Sequence, residues 1–265
     1  MGSPENTPTE TETEDRDAVL EREADFWTVD AREGGFARIR PWINKAIGEF
    51  SRDEEFFRYF DAKGKDVLDY GCGDGRIAVR LAADGARKVT GFDISEGQIE
   101  AARRSAQAKG VADRTEFLVA DAHATGFPDD SFDLVVGVAI LHHLDLAEAL
   151  HEIRRILRPG GRAVFTEPLQ HNPLLRLGRK LTPGARTPDE HPLTVEDWAL
   201  CASIFPGFKH TEQEFVTIPL MPLNLVLPES ARKRLARRAI RADQAVLRKF
   251  PSVRKYARTT FLILE

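Results

Sequence analysis

Val67-Leu68-Asp69-Tyr70-Gly71-Cys72-Gly73-Asp74-Gly75-Arg76-Ile77 is the stretch on which the reading of this chain turns. A short apolar run ends in a Gly-rich turn, and an apolar-periodic segment, Ile77 to Ala83, follows it. That order reads as strand, tight turn and helix. Glycine allows the backbone to bend tightly and to approach a ligand with no Cβ in the way. In an open parallel sheet such a turn, at the carboxyl end of the first strand, lies where ligands bind.

Outward from this turn the alternation continues. Lys88 to Phe92, Thr115 to Val119, Phe132 to Val138 and Arg162 to Thr166 read as strands, and Ser95 to Lys109 and Leu146 to Leu157 as helices. Ser95 is a candidate N-cap, and Arg158-Pro159-Gly160-Gly161 supplies breakers after the second helix. Strands alternating with helices predict an α/β fold, a doubly wound, mostly parallel sheet covered on both faces. Beyond it come a Pro-rich connection (Pro168 to Pro192), a helix near Val195 to Ala202 and a β-like stretch, Lys209 to Ile218. A basic helix and a strand from Arg258 to Leu264 end the chain, and the last two strands bring the sheet to seven. Before the core, Arg16 to Trp27 and Ala31 to Phe60 carry helical spacing, with Phe26, Trp27, Phe36, Ile39, Trp42, Ile43, Ile47 and Phe50 on recurring faces.

Composition narrows the class. Of 265 residues, 42% are hydrophobic and 30% charged, enough for one enlarged α/β core and unlike a disordered chain. Two isolated cysteines, Cys72 and Cys201, exclude a disulfide framework. No apolar run has the length of a membrane span, and the acidic, Thr-rich start has no signal-peptide pattern, so a cytoplasmic, soluble protein is expected. A net charge of −4 argues against a dedicated nucleic-acid binder.

Two details describe the ligand. The dinucleotide fingerprint is G-x-G-x-x-G, whereas this turn is G-x-G-x-G with Arg76 at the place of the third glycine. Asp93, ending Gly91-Phe92-Asp93, is placed to accept two hydrogen bonds from a ribose diol. That acid favours an adenosine ligand without choosing which.

The turn, Asp93, Ala120-Asp121-Ala122 and Phe132-Asp133-Leu134-Val135-Val136, in this order, resemble class I S-adenosylmethionine-dependent methyltransferases over about residues 65 to 167. The resemblance implies a Rossmann-like methyltransferase fold with S-adenosylmethionine as cofactor. It implies that Asp69 and the Gly71, Cys72, Gly73 and Gly75 turn hold the methionyl groups, that Asp93 takes the ribose hydroxyls and Ile94 packs beside adenine. Asp121 would accept from the adenine amino group, with the Ala122 backbone at a ring nitrogen. The plainer readings are that Asp69 caps the next helix and that Asp121 is a turn acid. The expected organisation is an acidic disordered tail (1–15), an N-terminal helical lid (16–62) and a methyltransferase domain (63–265) with a substrate-side insertion at about 168–192.

A sulfonium-bound methyl group is already activated, so the protein must mainly align a nucleophile and exclude water. Where the acceptor is a hydroxyl or an acidic carbon, a histidine is the natural base. His142 and His143 follow the fourth strand at the ligand edge, with at most one expected in the pocket; His171 and His191 in the Pro-rich connection are further candidates. Glu167, Asn172, Arg186, Asp189 and Glu190 are candidate polar contacts there. No metal-binding motif is present.

The expected partner is a small-molecule acceptor methylated on O, N or C, with O favoured; no nucleic acid is expected and a homo-oligomer stays open. Alternatives are a nucleic-acid or protein methyltransferase, a nicotinamide oxidoreductase and a non-catalytic binding protein. The basic helix, with Leu235, Ala239, Ala242 and Val246 at helical spacing, reads as core-packed with a solvated basic face, or else as a site for an anionic substrate, membrane or RNA.

Overall fold

A computed structural model describes residues 10–33, 53–181, 187 and 190–265 of the protein. The elements are α1 (Glu10–Glu33), α2 (Asp53–Phe56), β1 (Asp66–Tyr70), α3 (Arg76–Ala83), β2 (Lys88–Asp93), α4 (Glu96–Lys109), β3 (Thr115–Val119), β4 (Phe132–Val138), α5 (Leu146–Ile156) and β5 (Leu157–Pro168). They continue with α6 (Pro173–Leu181), α7 (Asp197–Ile204), β6 (Lys209–Gln213), α8 (Glu229–Lys249) and β7 (Thr259–Leu264).

Seven strands form one sheet in the order β3-β2-β1-β4-β5-β7-β6. β1 to β5 pair in parallel, and β7 runs antiparallel to both β5 and β6. The winding reverses between β1 and β4, which opens the crevice at their carboxyl ends. This is the doubly wound sheet that the alternation of elements predicts.

Alternating side chains cover the two faces separately. Leu68, Tyr70, Val135 and Phe165 pack with Leu150 and Ile153 of α5 and Cys201 and Phe205 beside them. Val67, Val89, Leu134 and Val136 pack with Ala78, Leu81, Ile99 and Ala102 of α3 and α4. Ser95 caps α4, its hydroxyl accepting from the Gln98 amide at 3.2 Å.

The structure departs from the sequence reading at four places. Helix α1 begins at Glu10, so residues 10–15, expected in the tail, have helical backbone. Arg158 to Gly161 do not lie outside regular structure: Leu157 already pairs with Phe132, and a register shift between Phe132 and Leu134 accommodates the glycines at the start of β5. The Pro-rich connection contains α6, whose first amides are capped by Asn172 Oδ1, accepting from Leu174 and Leu175 at 3.0 and 3.2 Å. The β-like stretch stops at Gln213, and a 3-10 segment, Ile218–Leu225, follows. Phe36, Ile39, Trp42, Ile43, Ile47 and Phe50 lie outside the described residues.

Candidate active site

A cavity of about 860 Å³ opens at the carboxyl edge of β1, β2 and β4. Asp69, Gly71, Cys72, Gly73, Asp93, Ile94, Asp121 and Ala122 line one side, and His142 and His143 the other. Gly75 lies just behind the wall, where a Cβ would stand 2.7 Å from that of Ala102.

The turn owes its shape to backbone angles that glycine tolerates. Gly71, Gly73 and Gly75 have φ of 69°, 52° and 74°. At Gly71 a Cβ would stand 2.6 Å from Ile140, whereas at Gly73 it would meet nothing within 4 Å. Gly73 is therefore the glycine whose missing side chain leaves room in the cavity.

Two carboxylates flank the turn, Asp69 buried and Asp93 half-buried. Asp69 accepts the Ala78 amide at 2.9 Å, so it does cap α3, yet it also lines the cavity. Burial, with Asp93 and Asp74 nearby, pushes its pKa up to about 7. Asp93 accepts the amides of Gly73 at 2.9 Å and Ser95 at 3.0 Å, and burial raises its pKa as well. A cationic or hydroxyl-bearing ligand would relieve both. The open space at Gly73 and this donor-poor, carboxylate-rich wall fit the ammonium and ribose diol of S-adenosylmethionine.

At β3 the Asp121 carboxylate accepts from the amide and the Nδ1 of His123, at 2.9 and 2.7 Å. His123 Nε2 accepts the Asp145 amide at 3.0 Å, so Nδ1 carries the hydrogen. Burial would raise the Asp121 pKa, but its His123 bonds and Arg16 hold it below the usual carboxylate range. The Tyr70 hydroxyl, on the buried side, donates to the Ala122 carbonyl.

The opposite wall is built around Glu167, which is fully buried at the end of β5. Its Oε1 accepts the amides of Ile140 and Leu141 at 3.0 and 2.9 Å, and its Oε2 lies 2.8 Å from His142 Nδ1. In the tautomer in which Nδ1 donates to Oε2, a neutral His142 keeps a lone pair on Nε2. His143 stands beside it with ring centroids 4.2 Å apart. Both histidines therefore line the cavity, contrary to the expectation of at most one. Leu141–His143 is a 3-10 turn, and the side-chain alternation of a strand does not apply to it.

Helix α1 closes this side with Arg16, Val19, Leu20, Glu23 and Trp27, which recur on one helical face. Glu23 Oε2 accepts from Trp27 Nε1 at 3.0 Å and lies 3.4 Å from His143 Nδ1, while Glu190 lies 4.0 Å from His143 Nε2. Burial opposes both charges, but each stabilises the other: the Glu23 pKa is lowered and that of His143 raised. Arg16 reaches Glu148 at 2.8 Å and Asp121 at 3.8 Å, tying α1 across the cavity mouth.

The remaining candidates fall outside the cavity lining. His171 lies 4.0 Å from Glu196, and His191 is exposed, contributing instead a backbone amide to the His142 carbonyl at 2.7 Å. Asn172 serves α6, and Arg186 and Asp189 are outside the described residues. Sequence reasoning missed Arg16, Glu23, Trp27 and His123. The first three share a helical stripe mixing charge with an aromatic, a signal weaker than an apolar one.

Residues 67–161 match the family model described as a methyltransferase domain. Over 100 residues the chain is 44% identical to 27-O-demethylrifamycin SV methyltransferase of Amycolatopsis mediterranei, covering 37% of each chain. Over 148 residues it is 33% identical to O-methyltransferase cnsE of Penicillium expansum, covering 53% of this chain and 54% of that one. A geranyl diphosphate methyltransferase, solved with geranyl diphosphate and sinefungin, shares the fold with a TM-score of 0.65, over 93% of this chain and 98% of its own, at 16% identity. The chain spans between 37% and 60% of the length of the curated relatives it matches. Residues 67–161 are thus similar to a methyltransferase domain, on a fold that solved methyltransferases share. No helix among the described residues is long and apolar enough to cross a membrane.

Proposed function

We propose that this protein transfers the methyl group of S-adenosylmethionine to a hydroxyl of a small organic acceptor, with His142 as the base and Glu167 as its positioning residue. The observation that carries the reading is one cavity bounded by the Gly71–Gly75 turn with its two acids on one wall and by the Glu167–His142 pair on the other. Bound there, the cofactor supplies a sulfonium-activated methyl. Asp69 would hold the ammonium, Asp93 the ribose hydroxyls, and Asp121 with the Ala122 backbone the adenine edge. The acceptor oxygen would receive the methyl, and His142 Nε2 would take the proton that this oxygen gives up. Glu167 stabilises the imidazolium formed, and α1 acts as a lid that keeps water from the reacting atoms.

Oxygen is favoured as the acceptor atom by the histidine base and by relatives named as O-methyltransferases. The test is incubation with methyl-labelled S-adenosylmethionine and a panel of hydroxylated small molecules, including 27-O-demethylrifamycin SV. Label transferred to an oxygen supports the reading, and label transferred to nucleic acid, protein or nothing counts against it. We place the protein in the cytoplasm, where the buried free thiols Cys72 and Cys201 stay reduced.

A second reading of the histidine wall has its own observation. His142, His143 and Glu190 offer ligand atoms within 4.8 Å of one another, and Glu167 and Glu23 face the other nitrogens of the two rings. Two histidines and a carboxylate are a common set for a divalent transition metal, which would lower the proton affinity of the acceptor oxygen itself. Turnover abolished by a chelator and restored by one metal would select this reading; turnover indifferent to chelation selects the base.

A further inference from the structure

The chain's charge is distributed very unevenly. Residues 173–181 and 217–257, which include α6, the 3-10 segment and α8, hold 13 Lys and Arg against two acids. That net +11 leaves −15 on the rest of a chain whose total is −4. The two acids do not blunt this surface: Glu229 pairs with Lys233 within α8, and Asp243 is fully buried, accepting the amides of Glu214, Phe215 and Val216. Arg234, Arg237, Arg238, Arg241 and Arg248 are exposed at spacings of three, four and seven, a continuous stripe along α8.

The same region concentrates exposed apolar side chains. Among the described residues seven large hydrophobic side chains are exposed, and five of them lie here: Leu174, Leu177, Leu223, Val226 and Phe250, at 38% to 77% exposure. Single exposed apolar residues are ordinary, whereas a cluster amid one sign of charge marks a contact surface. The segments are held together underneath by a small core in which Leu175, Ile218, Met221, Leu235, Ala236 and Ala239 meet.

Topology sets this cap on the same edge of the sheet as the cavity. β6 runs parallel to β5, since both are antiparallel to β7, so α6 and the 3-10 segment both leave the sheet at its ligand-binding edge.

We propose that this cap docks on an anionic lipid bilayer. Guanidinium groups would lie among the headgroup phosphates, with Leu174, Leu177, Leu223 and Val226 entering the interface. An RNA partner would match the charge, but single-stranded RNA is held by stacking on aromatic and planar groups, whereas these exposed side chains are mostly aliphatic. Docking would bring the cavity edge against the lipid, from which an apolar acceptor can be drawn; this consequence, unlike the docking, rests on the methyltransferase reading.

The test is co-sedimentation of the full chain with vesicles of phosphatidylcholine alone or mixed with phosphatidylglycerol. The account expects binding to the anionic vesicles at least about tenfold tighter than to the neutral ones, and lost at high salt. The quadruple variant Arg234→Ala/Arg237→Ala/Arg238→Ala/Arg241→Ala should lose the anionic preference, and Leu174→Ser/Leu177→Ser should weaken binding while keeping its salt sensitivity. Both change exposed residues, and unaltered thermal unfolding shows that the fold is intact. Failure of the wild type to bind anionic vesicles, equal binding to neutral ones, or variants that bind like the wild type would overturn the proposal. So would a fluorescent single-stranded RNA binding more tightly than the vesicles and displacing them. Vesicle binding is read without cofactor or turnover, so its failure is separate from any failure of the methyltransferase reading.

Discussion

The two walls of the cavity are made in different ways. The cofactor wall is local: Asp69 and the Gly71–Gly75 turn come from one strand–turn–helix unit, and Asp93 from the neighbouring strand, joined to it by a single amide–carboxylate bond. The opposite wall is assembled from far-apart segments, with Glu23 on α1, His142 and His143 after β4 and Glu190 beyond β5, and Glu167 of β5 buried behind His142. The first wall uses backbone shape and a general ligand chemistry, while the second uses a network of charged side chains. Substitutions should separate accordingly: changes to the first wall alter cofactor affinity, and changes to the second alter turnover or the KM of the acceptor.

The largest effect should follow removal of the base. His142→Ala is expected to lower turnover by roughly 10²- to 10⁴-fold with S-adenosylhomocysteine affinity unchanged. Glu167→Gln sharpens the point, because an amide donating to Nδ1 would leave the hydrogen on Nε2, the wrong tautomer, with a loss of the same order. A pre-steady-state measurement at saturating cofactor would show the chemical step slowed. Equal loss of cofactor affinity in either variant would erase the distinction between the walls.

Next in size is Asp93→Ala. Each hydrogen bond to a charged acceptor contributes roughly 1.5 to 3 kcal/mol, so loss of even one of the two to the ribose should weaken S-adenosylhomocysteine binding about 10- to 150-fold. Unaltered affinity in a folded variant would move the ribose elsewhere.

A smaller effect is the pH dependence of cofactor binding. Because Asp69 ionises at about 7 and its partner would be an ammonium, binding favours the ionised form and releases a proton. Affinity should therefore rise with pH up to about 7 and level off above it, by at most about tenfold per pH unit. Asp69→Asn should flatten the curve. The same shift makes ionised Asp69 a destabilising group in the ligand-free protein: the unfolded chain loses this proton in the ordinary carboxylate range and the folded chain only near 7, so stability falls as pH rises between them.

Smallest is the lid. Glu23→Gln removes the charge of a buried pair with His143, while the amide keeps the side chain's shape and its bond from Trp27, and acceptor KM should rise by a few-fold. The difference from wild type should shrink as pH rises through the raised His143 pKa, where the pair loses its cation. A KM difference constant across that range would assign Glu23 a packing role instead.

Legibility in the sequence follows the same division. Asp66–Tyr70, Thr115–Val119 and Phe132–Val138 fall where the apolar runs placed them, because strand period and turn chemistry are local signals. The glycine turn, Asp93 and Asp121 were readable for that reason. Glu167 was visible only as a polar residue at a strand end, since its role depends on His142, 25 residues away. His171 and His191 looked equivalent to His142 by position in a loop, but His171 approaches Glu196 and His191 meets His142 only through its backbone, so neither lines the cavity. Arg16, Glu23 and Trp27 were hidden because a helical stripe made of mixed residue types does not declare which face is inward.

The central claim, that the Gly71–Gly75 turn holds an adenosylated amino acid, is tested most directly by calorimetric titration with S-adenosylhomocysteine of the wild type and of Gly73→Val, with NAD as the control. A Cβ at Gly73 meets open space, so the variant's side chain enters the cavity, and thermal unfolding would verify that the positive φ there has not prevented folding. The account predicts one site for S-adenosylhomocysteine in the wild type, none in a folded Gly73→Val, and no heat from NAD in either. Binding of S-adenosylhomocysteine to both proteins alike, or of NAD in its place, would contradict it.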